Sequence, residues 1–127
     1  MQGKHLYEYA IIRVVPRVER EEFINVGVIL GDAKSGFLGC KIELNESKLL
    51  ALDPLADCEM IQLNLNSFEK ICLGKSNGGK IAAMDLASRF RWLTAVRSSI
   101  IQTSRPHMGF SAELEKTLEK LFEENVK

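Results

Sequence analysis

Tyr7-Glu8-Tyr9-Ala10-Ile11-Ile12-Arg13-Val14-Val15 is dense in aromatic and β-branched residues and stops at Pro16. Side chains of these kinds pack well on a pleated surface, so the run predicts a strand. A short charged link, Arg17 to Glu22, leads into Phe23-Ile24-Asn25-Val26-Gly27-Val28-Ile29-Leu30, which repeats the same chemistry. Parallel strands need a crossover of roughly a dozen residues or more, so this link predicts an antiparallel pair. Gly27, inside the second run, marks a bulge or a close approach by another backbone. Gly31 to Gly36 has turn chemistry, and Phe37 to Leu44 then supplies a third strand, completing a meander.

Three strands with apolar residues need a cover, and the rest of the chain supplies it. Glu46 to Leu52 predicts a short helical turn ending before Asp53-Pro54. Ile61, Leu65, Phe68 and Cys72 recur at helical spacing, with Asp57 as the N-cap and Gly74 as the stop. Lys75 to Lys80 reads as a loop; its Gly-Gly-Lys lacks the spacing of a phosphate-binding loop. Ile81 to about Leu93 predicts a second helix with Ala83, Leu86, Ala87, Phe90 and Leu93 on its buried side. Ser98 to Thr103 predicts a fourth strand that ends at Arg105-Pro106. Ser111 is placed to cap a last helix carrying Leu114, Leu118, Leu121 and Phe122. The expected fold is α+β: a mostly antiparallel sheet of about four strands, covered largely on one face by about three helices. Residues 1–127 are expected to form a single domain.

Seventeen basic residues balance seventeen acidic ones, giving a formal net charge of +0. That argues against coating nucleic acid or a membrane by bulk charge, and leaves a local anion site open. Cys40, Cys58 and Cys72 are odd in number and widely spaced, which predicts free thiols in apolar surroundings and a reducing, cytoplasmic location. No signal-peptide pattern and no membrane-length apolar run is evident. His5 and His107 stand apart from other potential ligands, so neither a metal nor a cofactor is expected.

Charge is uneven in one place. Leu86 to Phe110 holds Arg89, Arg91, Arg97 and Arg105, together with Trp92 and His107, and no carboxylate. Guanidinium forks grip phosphate or carboxylate at two points and stay charged at physiological pH. Ser98, Ser99 and Ser104 add hydroxyl donors, and Gln102 adds an amide. Arg97, Ser98 and Gln102 form the strongest constellation for ligand or partner contact. Arg13 on the first strand can brace that region or extend it. His107, between Pro106 and Gly109, is expected on a tight loop, where it can carry a proton or simply hold the loop. Each feature also has a plain structural reading: Arg89 and Arg91 paired with Glu115 and Glu119, and Trp92 as a core anchor.

Several segments resemble one bacterial family, domain of unknown function 3037. They are Tyr7-Glu8-Tyr9-Ala10, Arg13 to Arg20, Glu22 to Val28, Ala51-Leu52-Asp53-Pro54, and Arg89-Phe90-Arg91-Trp92-Leu93-Thr94-Ala95 with Arg97-Ser98, Gln102, Ser104 and His107. The resemblance runs nearly end to end. Members look like neighbours of kinase-like proteins of the HipA type, which implies a partner or regulator in a toxin–antitoxin or stress-response pair. The expected function is therefore a small cytoplasmic interaction protein, more a binder than an enzyme. The alternative is a nucleotide- or phosphoester-acting protein that holds phosphate with Arg97, Ser98 and Gln102 and uses His107 for proton transfer. A nucleic-acid-binding module is the least expected, because interleaved surface aromatics and net positive charge are missing.

Overall fold

Strand β1 (His5–Val14) has partners along both of its edges, so the sheet is built around it. The computed structural model describes residues 3–127. On one edge β1 pairs antiparallel with β2 (Ile24–Asp32), and β2 pairs antiparallel with β3 (Phe37–Ile42). This is the meander expected from the sequence. The other edge is shared by two short strands: β4 (Ile101–Thr103) pairs with Ile12–Val14, and β5 (His107–Ser111) pairs with His5–Tyr9. Among the described residues the antiparallel sheet thus has five strands instead of four, because the chain resumes pairing after Pro106 and does not loop away.

Ser104 bridges the interruption between β4 and β5. Its N–H donates to the Ile11 carbonyl at 2.8 Å, and its Oγ accepts from the Ile11 N–H at 2.8 Å. The hydroxyl donates onward to the Arg105 carbonyl at 3.1 Å. A side chain thereby completes the ladder where Arg105-Pro106 breaks it, and Ser104 is buried in doing so. Ser104→Ala orphans the buried Ile11 N–H and is expected to cost about 1–3 kcal/mol. Urea denaturation should show the midpoint falling at unchanged m value.

Gly27 combines both readings that its position suggested. A Cβ there would lie 2.6 Å from the Lys41 carbonyl oxygen, so β3 approaches too closely for any side chain. Beside it, the β1–β2 register shifts between Ile12 and Arg13, which places Ile12 opposite Gly27 and Arg13 opposite Asn25. The extra residue, Val26, reverses the alternation of β2. Val26 therefore joins Ile29 on one face of the sheet, while Val28 and Leu30 face the other.

The five α-helices of the described residues divide between those two faces. Ala10, Ile12 and Val14 pack under α1 (Glu46–Leu52), α2 (Cys58–Cys72), α3 (Gly79–Ala82) and α4 (Leu86–Leu93). Ile11, Val28 and Leu30 pack under α5 (Leu114–Asn125) through Leu114, Leu118 and Phe122. The expected one-sided cover is therefore corrected, because successive buried β1 residues, Ala10 to Ile12, point to opposite faces and each face needs its own lid.

Local signals explain most helix ends. The Asp57 carboxylate accepts from Met60 N–H at 3.0 Å, and α2 buries Ile61, Leu65, Phe68 and Cys72 as the spacing predicts. Gly74, at φ 67°, stops the helix with its N–H bonded to the Ile71 carbonyl. The expected second helix is split. Asp85 accepts from Ser88 N–H at 3.2 Å and starts α4 afresh, leaving Ala83 exposed in the turn after α3. Ser111 stands two residues before the cap position, which Glu113 occupies: its Oγ accepts from Glu113 N–H at 3.0 Å, and α5 begins at Leu114. All three cysteines are free thiols, and Cys72 is buried. The Cys40 thiol is pushed upward in pKa by its hydrogen bond with Cys72 and by burial, so it stays protonated. No helix among the described residues is long and apolar enough to cross a membrane.

Candidate anion-binding cleft

The cleft begins with the register of β1. Arg13 lies opposite Asn25 on β2 and opposite Gln102 on β4. Directly opposed residues of antiparallel strands point to the same face, so these three form a polar row across the sheet. The row lies on the face covered by α5, at the point where that helix ends. Asn25 Nδ2 donates to the carbonyl of Asn125, the last residue of α5, at 3.1 Å. Beyond that contact Arg13 and Gln102 line a hollow with Phe23.

Arg97 reaches the same opening from the chain that follows α4. Its guanidinium lies over the Trp92 ring, 4.4 Å from the centroid, and donates to the Trp92 carbonyl oxygen at the helix end. Arg13 is held in the same manner, its guanidinium 4.2 Å from the centroid of Phe23. Two aromatic rings thus fix two guanidinium groups around a cleft of about 320 Å³, which Ser98 and Gln102 also line. Gln102 donates through Nε2 to the Ser99 carbonyl at 2.8 Å, which leaves its amide oxygen free to accept.

The two guanidinium groups share this cleft with one carboxylate, that of Glu21, but among the described residues neither Arg13 nor Arg97 takes part in an ion pair. In the neighbouring loop Arg17 pairs with Glu19 at 3.0 Å and Arg20 with Glu22 at 2.6 Å, which leaves Glu21 as its one unpaired carboxylate. The Glu19 carboxyl is lowered in pKa by a backbone hydrogen bond and then by Arg17; that of Glu22 is lowered by Arg20. Glu21 is the acidic residue lining the cleft, in a left-handed turn at φ 58°. Arg13 Nε and Asn25 Oδ1 are buried with no hydrogen-bond partner among the described residues. Arg89 Nε and Thr103 Oγ1 are buried and unpaired in the same way, so this feature is not confined to the polar row.

The other arginines of the sequence cluster lie elsewhere. Arg89 donates through Nη1 to the Met84 carbonyl at 2.7 Å, and its Cζ lies 3.2 Å from where a Gly74 Cβ would stand. It ties α4 to the end of α2. Arg91 is exposed, contacts Ser88 Oγ at 3.3 Å, and borders a separate hollow with Glu8. Neither pairs with Glu115 or Glu119, because α4 and α5 cover opposite faces of the sheet. Trp92 is partly exposed and serves as the platform for Arg97. Ser104 is occupied by the β1 ladder.

His107 is a strand residue opposite Tyr9, with the two rings 5.4 Å apart, instead of lying on a tight loop. Tyr9 precedes Arg13 by four residues on β1, or about 13 Å along the strand. His107 does not line the cleft. Among the described residues no cluster of three or more His, Cys, Asp or Glu is arranged to hold a metal ion. The sequence reading missed Phe23 and Glu21. Phe23 begins an apolar run, and only the fold reveals that it faces Arg13.

Against known proteins, the model of a family described as "Protein of unknown function (DUF3037)" matches residues 9–126. No curated protein and no solved structure gives a match.

Proposed function

The chain belongs to the DUF3037 family, whose description carries no activity, and we propose from the cleft itself that it is a small interaction or regulatory protein. It receives an anionic group of a protein partner, a carboxylate or a phosphate, between Arg13 and Arg97. The observation that carries this reading is the pair of aromatic-held guanidinium groups without carboxylate partners, beside the orphaned Arg13 Nε. Such forks are pre-organised, so little side-chain entropy is lost when the anion docks. The partner implied by the family resemblance is a HipA-type kinase-like protein, met in a reducing cytoplasm. Docking at this cleft is its regulatory contact.

The same forks favour a second reading, binding of a nucleotide or phosphoester. His107, the group that would move a proton there, stands well outside the cleft. That placement favours holding a phosphate over transferring it.

A tagged pull-down from the native host, read by mass spectrometry, tests the proposal. One stoichiometric protein should be retained by the wild type, and Arg97→Ala should weaken its capture by about 2 kcal/mol or more. A partner indifferent to Arg97→Ala would remove the cleft from the interface. Co-purification of a nucleotide in place of a protein would select the second reading, and a thermal-shift series with nucleotides would confirm it.

A further inference from the structure

We propose that the outer edge of β5 is a self-association surface, on which a second copy of this chain pairs antiparallel about Gly109. The hydrogen-bond parity of β1 shows which groups of β5 are free. Ser104 N–H donates to Ile11 and Val15 N–H donates to Ile100, so the odd positions of β1 turn their backbone groups toward this edge. Pairing of Tyr9 with His107, Tyr7 with Gly109 and His5 with Ser111 then uses the inward groups of β5. The N–H and C=O groups of Met108 and Phe110 point outward, and no further strand among the described residues meets them.

Proteins usually blunt such an edge with charge, a bulge or a covering element. The opposite edge, β3, carries Lys41 and packs against α2 and α5. Pro106 to Ala112 contains no Asp, Glu, Lys or Arg. Met108 is 65% exposed and Phe110 58%, and the cross-strand neighbour of Phe110, Leu6, is 45% exposed. All three lie on one face, which also carries the exposed Glu8 opposite Met108. Gly109 faces the other way, under the Tyr7 hydroxyl.

The strand is self-complementary. Centred on Gly109, each Met108 opposes Phe110 of the second copy, and their outward backbone groups exchange hydrogen bonds in both directions. His107 opposes Ser111 of the second copy. Two residues beyond each end of the strand, past Pro106 and the bend at Ala112, the same register puts Arg105 on the side of Glu113 of the second copy, twice by symmetry. Both are exposed; Arg105 has no ion pair among the described residues, and Glu113 has only a surface contact with Lys116 at 3.3 Å. This charge complementarity selects a second copy over an unrelated strand, and it makes the contact isologous and closed. Two five-stranded sheets become one continuous sheet, with the apolar patches of both copies side by side.

Sedimentation equilibrium on the full chain, from low micromolar concentration to the solubility limit, tests this directly. The wild type should dimerise, and Phe110→Lys should weaken the dimer by about a hundredfold, as expected for loss of a central aromatic anchor. Arg105→Glu should weaken it by about tenfold through repulsion of Glu113, and Arg105→Glu with Glu113→Arg should restore it. Circular dichroism verifies that each variant is folded. If Phe110→Lys fails to fold, the two charge variants decide, since both positions are exposed. A wild type that stays monomeric overturns the proposal. So does a dimer whose dissociation constant ignores both Phe110→Lys and the charge reversal.

Discussion

Replacing Arg13 by methionine is expected to weaken partner binding strongly while leaving the fold as stable as before or slightly more so. The guanidinium of Arg13 is half-buried, lies on Phe23, and has no ion pair and no partner for Nε among the described residues. Its charge therefore costs desolvation without a carboxylate to offset it. Methionine keeps an unbranched stem over the ring and adds a sulfur–aromatic contact. Stability should change by about +1 kcal/mol or not at all. Binding should weaken by about 2–5 kcal/mol, because a charged group of the partner then enters the cleft with Arg97 as its one guanidinium partner. Guanidinium denaturation and titration calorimetry against the captured partner give the two numbers. A large loss of stability would mean that Arg13 is a structural brace; unchanged binding would place the anion elsewhere.

The second large effect concerns the face opposite the four helices. Phe122→Ala is expected to destabilise the protein by about 3–5 kcal/mol. Phe122 is almost fully buried in the cluster formed by Ile11, Val28 and Leu30 with Leu114, Leu118 and Val126. Lys41 Nζ stands 4.8 Å from its ring centroid, so truncation removes a cation–π contact as well as packing. Total stability of such a domain is about 5–15 kcal/mol, which makes this one change a large fraction of it. Leu65→Ala, at the centre of the other cluster, should cost about 2–5 kcal/mol. Comparable losses from the two faces would demonstrate that α5 is an essential lid. A negligible loss at Phe122 would make α5 a dispensable attachment.

The cleft was partly legible before any fold was known. Arg97, Ser98 and Gln102 stood out because a segment without carboxylates concentrates positive charge, and the fold brings these three to one opening with Arg13. Arg89, Arg91, Ser104 and His107 shared that local composition but not that opening. An eight-residue helix spreads its side chains around a cylinder, so neighbours in sequence such as Arg89 and Arg91 take different surroundings. Ser104 was claimed by a backbone donor ninety-three residues away, a demand that no local window contains.

By itself the sequence determined the α+β class, the N-terminal meander, the apolar stripe of α2, and the caps at Asp57 and Gly74. These rest on periodicity, on side-chain shape and on hydrogen bonds that span a few residues. Tertiary structure alone decided that the sheet is covered on both faces, that β1 shares one edge between β4 and β5, and that Arg13 meets Arg97. Pairing across long loops follows from which surfaces bury one another. Two residues eighty-four positions apart become neighbours only once the register of β1 against β4 is set.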